Sequence, residues 1–127
     1  MVALAASRPA DLILVGQDWG TVGYFRDHCG RDTPENRTNK RLTEFLALLG
    51  FKVGPADCED RQSGVFATNA FLCLKPGKTL SAPVKHEWYE NCRYFLKGTI
   101  DAVAAPTIVA LGKRAYEAVA RACKQDP

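Results

Sequence analysis

The apolar residues of this chain fall into two patterns. Short continuous apolar runs occupy residues 12–15, 65–72 and 107–111, the second of them interrupted by Thr68 and Asn69. These runs lack the alternation of a half-exposed strand and are typical of parallel strands that are covered on both faces. We therefore predict three buried strands.

Between and after these runs, apolar residues recur every three or four positions, which predicts helices. A helix is expected from a cap at Thr38 or Asn39 to Gly50, a second from 85 to about 104, and a third from Gly112 onward. Residues 21–37 and 75–84 are rich in turn-forming residues and are predicted to be loops. The order strand, helix, strand, helix, strand, helix predicts an α/β fold, a short central parallel sheet with helices on both faces.

Size and composition fit one globular domain spanning residues 1–127. The chain has 46% hydrophobic and 24% charged residues, and its net charge of +3 permits nucleic-acid binding without requiring it. The first ten residues do not resemble a signal peptide, and no apolar run approaches the length of a membrane span. We expect a cytoplasmic monomer that does not associate with membranes.

Polar residues follow the first two predicted strands. Gln17, Asp18 and Trp19 come directly after the first strand, and Asn69 lies at the end of the second. Ligands of parallel α/β sheets bind beyond the carboxyl ends of the strands, so a site is expected at this edge. The alternative is that Asp18 caps a turn and that Asn69 makes a local turn.

Several segments resemble the uracil-DNA glycosylase superfamily in the order found there. They are GQDWG at 16–20, NRTNKRLTEFLALLG at 36–50, ATNAFLCLKPG at 67–77 and IVALGKRAYEAV at 108–119. The resemblance implies the glycosylase topology, in which a fourth parallel strand and a His-Pro turn would follow. The sequence ends at Pro127 without them, so we expect the domain to be incomplete at its C-terminus and to lack that strand.

The resemblance implies a role for each polar residue. Asp18 matches the aspartate that activates water, and a carboxylate there would also stabilise the positive charge that develops on the sugar. Asn69 matches the asparagine that reads the base, since a carboxamide complements the O4 acceptor and N3 donor of uracil. The backbone of the turn at Gln17 and Trp19 is a candidate for holding uracil O2 or the departing base.

Other members of the predicted pocket follow from the same motif. Gly16 begins it, and Gly20 lies where the strictly uracil-specific branch has a tyrosine that excludes thymine, so exclusion by that route is not expected. Phe25 or Tyr24 would stack on the extruded base, with Trp19 as another candidate. The alternative is that at least one of these aromatics packs beneath the loop.

Three lysines are candidate contacts to DNA phosphates, namely Lys75, Lys78 and Lys113. The alternative for each is a solvated surface lysine. Cys73 and Cys92 resemble two of the four iron-sulfur ligands of one family branch, but the other pair is absent, so no cluster is expected. A zinc site at His28, Cys29 and Cys58 fits no common spacing, and we predict no metal and no cofactor.

The leading hypothesis is a DNA N-glycosylase that removes uracil or a related damaged base from DNA in base excision repair. A second is a nucleic-acid-binding module of the same fold that does not cleave. A third, an unrelated nucleotide-binding α/β domain, is disfavoured because GQDWGTVG matches neither the dinucleotide-binding pattern nor a P-loop.

Overall fold

A parallel three-stranded sheet organises the residues that the structure describes. The structure is a computed structural model that describes residues 10–29, 33, 35–53 and 64–124. Its strands are β1 (Leu12–Gly16), β2 (Val65–Asn69) and β3 (Thr107–Ala110). They lie in the order β2-β1-β3, and Leu12 pairs with Val65 on one side and with Thr107 on the other. The predicted α/β fold with a parallel sheet is confirmed.

The central strand β1 is the most buried strand of the sheet. Its residues from Leu12 to Val15 are all buried, as expected for an apolar run with a parallel neighbour on each side. The prediction that the other two strands are buried was wrong, because Phe66 and Ala67 of β2 and Thr107 of β3 are exposed and most of their remaining residues are half-buried. An apolar run does not reveal whether a strand lies at the centre or at the edge of the described sheet.

Four helices accompany the sheet. They are α1 (Val22–Asp27), α2 (Arg37–Leu48), α3 (His86–Val103) and α4 (Lys113–Lys124). Helix α1 falls in a segment that we predicted to be a loop, and that prediction was wrong. Thr21 caps it by accepting a hydrogen bond from the Tyr24 amide, and this local cap outweighs the turn-forming composition around it.

The three longer helices lie close to their predicted positions. Helix α2 is capped by Asn36, whose side chain accepts from the Thr38 amide at 2.9 Å, rather than by Thr38 or Asn39. Gly50 follows its end with a positive φ of 89°, as helix-terminating glycines do. Helix α3 ends at a left-handed Ala104 with a φ of 49°.

The main core lies between the sheet and helices α3 and α4. Buried residues of β1, the segment after β2 and both helices form one cluster, which includes Ile13, Val15, Phe71, Leu96 and Ala115. Small alanines on α4 allow it to pack closely against α3. None of the described helices is both long and apolar enough to span a membrane.

Candidate active site at the carboxyl edge of the sheet

Strands β1 and β2 end side by side. Gly16 and Asn69 are the last pair of their register. The pairing continues past the strands, because the Ala70 amide donates to the Gly16 carbonyl and the Phe71 amide to the Gln17 carbonyl, each at 2.9 Å. The polar segment after β1 is therefore held directly beside the end of β2.

The carboxamide of Asn69 lies against the backbone of Gly16. A Cβ placed on Gly16 would overlap Asn69 Oδ1, so the amide occupies the space that a side chain at position 16 would fill. Asn69 is half-buried, and Asp18 lies two residues beyond Gly16. The structure thus brings the predicted base-reading amide to the strand end that carries the predicted acid.

Asp18 is held by three donors. Its Oδ1 accepts from the Gly20 amide at 2.8 Å and lies 3.2 Å from Lys75 Nζ, and its Oδ2 accepts from Gln17 Nε2 at 3.0 Å. Only 10% of the side chain is exposed. A carboxylate offers about four acceptor positions, two on each oxygen. Oδ1 therefore has both positions filled, whereas Oδ2 keeps one for a further donor such as water.

Lys75 differs from the surface lysine that a phosphate contact requires. Its side chain is 3% exposed, and Nζ donates to the Leu80 carbonyl and, at 2.9 Å, to the Ala82 carbonyl in addition to contacting Asp18. An ammonium has three donors, so all are used. This position is incompatible with the predicted phosphate contact, and Lys75 instead belongs to the surroundings of Asp18.

The other two candidate phosphate contacts lie on the surface. Lys78 is exposed in the connection between β2 and α3. Lys113 is the first residue of α4 and is 85% exposed, with Nζ 3.9 Å from Glu117 Oε1. Both positions suit contacts to an anionic backbone.

Gly20 packs closely against the side chains of Leu80 and Tyr24. Its φ is +90°, a conformation that favours glycine, and its carbonyl accepts from the Lys75 amide at 2.9 Å. A Cβ at this position would lie 3.1 Å from Leu80 Cδ2 and 3.5 Å from Tyr24 Cδ1. The space above Gly20 is therefore bounded by Leu80 and Tyr24.

The three candidate stacking aromatics differ in exposure. Tyr24 is half-buried and stacks on His28 with ring centroids 4.1 Å apart. His28 Nδ1 lies 2.9 Å from the Tyr24 carbonyl, which fixes the imidazole at the end of α1. Trp19 and Phe25 are 38% and 40% exposed, so their rings remain accessible to a ligand. Tyr24, whose ring already contacts His28, is the least exposed of the three.

Tyr89 places a buried hydroxyl near the acid. The residue belongs to the core cluster, and its Oη has no hydrogen-bond partner among the described residues. Burial raises the pKa of the Tyr89 phenol, and the negative charges of Asp18 and Glu117 raise it further, whereas Arg114 opposes them. The phenol therefore stays neutral beside Asp18 at physiological pH.

The cysteines are dispersed among different environments. Cys73 is exposed, and Cys92 is buried with its Sγ accepting from the Leu72 amide at 3.4 Å. Cys58 lies outside the described residues. In the part of the chain that is described, no three histidine, cysteine or acidic side chains are grouped as they would be to hold a metal ion.

Comparison with models of protein families assigns the chain to a family. Residues 7–125 match the model of the uracil DNA glycosylase superfamily. The chain belongs to the uracil DNA glycosylase superfamily. The match extends over the described sheet and the turn that carries Asp18, and it indicates a glycosylase-type hydrolase with a role in DNA repair. No curated protein and no solved structure matches the chain.

The sequence did not predict the roles of three residues around the acid: it indicated Lys75 only as a contact to DNA phosphates and did not indicate Leu80 or Tyr89 as site residues. Lys75, Leu80 and Tyr89 come from the connection after β2 and from the start of α3. For Lys75 the sequence offers no signal of burial, since a lysine beside a Pro-Gly turn is typical of the surface. For Leu80 and Tyr89 the spacing offers none, because their positions depend on how the connection folds back over Gly20.

Proposed function

We propose that this protein is a DNA N-glycosylase that hydrolyses the bond between a flipped uracil-type base and its deoxyribose. Membership of the uracil DNA glycosylase superfamily supports the reaction class. The observation that carries the proposal for this chain is the pairing of Gly16 with Asn69, which puts the amide beside the strand end that bears Asp18. Acid and amide are then available to one nucleotide.

Asp18 would act on the sugar side of the bond. As the base departs with the bonding electrons, positive charge develops on the sugar, and a nearby carboxylate stabilises it. The one unfilled acceptor position of Asp18 is on Oδ2, so a water bound there would be oriented for attack at the anomeric carbon. The products are the free base and an abasic site.

Asn69 would select the base. Its amide, fixed against Gly16, offers a donor and an acceptor that complement uracil O4 and N3. The exposed ring of Phe25 or Trp19 is available to stack on the extruded base and to offset part of the cost of unstacking it. Substrate DNA would meet the positive charges of Lys78 and Lys113.

Asp18→Asn tests this function. The substitution keeps the shape of the side chain and removes its charge, so cleavage of a labelled uracil-containing oligonucleotide, detected as alkali-sensitive sites, should fall by about 10²–10⁴-fold. Asp11→Asn is the matched control, because Asp11 is exposed and precedes the amino end of the same strand. Equal cleavage by Asp18→Asn and the wild type would refute the assignment of Asp18.

One observation favours a second candidate, a module that binds DNA without cleaving it. The ammonium of Lys75 compensates much of the negative charge of Asp18, and a compensated carboxylate stabilises a cationic sugar less well. For such a module, the wild-type protein would bind the uracil-containing oligonucleotide and release no base under the conditions of the same assay.

A further inference from the structure

The connection between β2 and α3 carries a buried cation that the proposed reaction does not use. Lys75 Nζ donates to the carbonyl oxygens of Leu80 and Ala82 and lies 3.2 Å from Asp18 Oδ1. Its side chain is 3% exposed. With three donors and three acceptors, this ammonium is fully engaged by the protein and is inaccessible to a ligand.

Lys75 joins two segments that are distant in sequence. Its backbone pairs with Thr21 in a parallel bridge, and its amide donates to the Gly20 carbonyl at 2.9 Å. Its side chain binds the turn from Thr79 to Ala82, in which the Ala82 amide donates to the Thr79 carbonyl at 3.1 Å. Main chain and side chain together hold this turn against the loop that carries Asp18.

Joining two segments through a buried lysine carries a large cost in desolvation free energy. Removing an ammonium from water costs several kcal/mol, and well-packed apolar residues often stabilise a protein as well as a buried ion pair does. The cost is offset here by the carbonyl oxygens of Leu80 and Ala82 and, while it is charged and within reach of Nζ, by Asp18. Lys75 and Asp18 therefore constrain each other's position, and this constraint acts on the residue to which we assign the attack of water.

We propose that Lys75 is a positioning residue for Asp18. By filling the second acceptor position of Oδ1, it leaves Oδ2 as the oxygen that receives water, and through the Leu80 carbonyl it holds Leu80 against Gly20. This inference rests on the proposed glycosylase function. Lys75 does not touch the substrate, and its contribution passes through the Asp18 carboxylate and the turn at Thr79–Ala82.

Kinetics of Lys75→Met and Lys75→Arg on a uracil-containing oligonucleotide form the first test. A misplaced carboxylate should lower kcat of Lys75→Met by about 100-fold and change KM little. Lys75→Arg keeps the charge but not the shape, and should recover part of kcat. Lys52→Met is the matched control, since Lys52 is exposed and follows Phe51, which lies beside Gly64 at the amino end of β2. A wild-type or higher kcat in Lys75→Met would overturn the proposal.

Hydrogen exchange at the Ala82 amide is the second test and requires no activity. Loss of the ammonium should speed its exchange by about tenfold, because hydrogen bonds to a charged group are among the stronger ones in proteins. If Lys75→Met does not fold, the double variant Asp18→Asn/Lys75→Met, which leaves no unpaired charge, gives the same measurement. Unchanged exchange would show that Lys75 does not hold the turn.

The two tests separate this inference from the function on which it rests. If the wild type does not cleave, the glycosylase function fails and the positioning of a catalytic Asp18 by Lys75 fails with it, while the link to the turn is decided by exchange alone. If the wild type cleaves, Asp18→Asn does not, and Lys75→Met matches the wild type in both kcat and exchange, only the role of Lys75 is refuted.

Discussion

Gly16 has no side chain, and Asn69 occupies the volume that one would fill. The amide is therefore held from one side by main chain alone. At the scale of single residues the site depends on this contact and on that between Lys75 and Asp18. Each contact joins positions that are far apart in sequence. The first places the Asn69 amide against main chain, and the second places the Asp18 carboxylate beside an ammonium.

Gly16→Ala should impair recognition of the base. The new Cβ overlaps Asn69 Oδ1 and must displace the amide, so kcat/KM for a uracil-containing oligonucleotide should fall by about tenfold or more. The free energy of unfolding should fall by about 1 kcal/mol or somewhat more. Gly98→Ala is the control, since a Cβ at Gly98 meets nothing within 4 Å. Unchanged kcat/KM in Gly16→Ala would mean that Asn69 does not read the base.

Tyr89→Phe should leave the protein as stable as the wild type or more stable at neutral pH. The substitution removes a buried hydroxyl that has no partner among the described residues, which should raise the free energy of unfolding by up to about 1 kcal/mol in urea titrations. A loss of stability of that size would instead show that the hydroxyl has a partner that remains to be located.

The raised pKa of Tyr89 predicts that the free energy of unfolding depends on pH in the alkaline range. Its pKa in the folded protein is raised above the ordinary value of 10.0, so the folded state binds the phenolic proton more tightly than the unfolded state. This contribution to stability is fully present below pH 10 and is lost as pH rises through the raised pKa. Urea titrations above pH 10 should therefore show a smaller loss of stability for Tyr89→Phe than for the wild type; equal losses would contradict the shift.

The residues of the site differ in how far the sequence could predict them. Asn69 and Asp18 could be placed at one edge because each follows an apolar run, and parallel strands end on the same side. Lys75 could not, because an isolated lysine beside a Pro-Gly turn looks like a surface residue until its partner is known. Its burial results from an ion pair between segments that no local pattern connects.

At the scale of elements, the predictions that failed concern a helix started by a local cap and strands at the edges of the sheet. A single threonine starts α1 within a segment whose composition indicates a loop. Strands β2 and β3 come from apolar runs like that of β1 but are partly exposed, and each is an outer strand of the described sheet. Helices α3 and α4 were predictable since their apolar faces persist over several turns.

The end of α3 offers a test at this scale. Ala104 adopts a left-handed conformation that glycine adopts without strain, so Ala104→Gly should raise the free energy of unfolding by about 1 kcal/mol. Ala102→Gly, two residues earlier and still helical, should lower it by a similar amount. Urea titrations of the two variants should thus shift in opposite directions; a loss of stability in Ala104→Gly would contradict the cap geometry.

At the scale of the whole molecule, the proposed DNA substrate must meet a surface of modest positive charge. The net charge is +3, so binding depends on which cations lie beside the site. Lys78, in the connection after β2, and Lys113, at the start of α4, are exposed, whereas Lys75 is buried and unavailable.

The salt dependence of DNA binding should report these two lysines. In Asp18→Asn, which under the proposed function is expected to bind without cleaving, each of Lys78→Gln and Lys113→Gln should reduce the slope of log Kd against log salt by about 0.9 if the lysine contacts a phosphate. Lys52→Gln, which removes a charge near the opposite edge of the sheet, should leave the slope unchanged. Slopes identical in all variants would place the DNA elsewhere on the surface.

The position of β1 between two neighbours has a consequence for a partly denatured molecule. Of the described strands it alone is enclosed on both sides, and it carries the loop of Asp18, whereas Asn69 belongs to the outer strand β2. Peripheral strands come apart at lower cost than central ones. Gentle warming should therefore release Asn69 before Asp18, and under the proposed function discrimination between bases should decline at a lower temperature than the rate of cleavage.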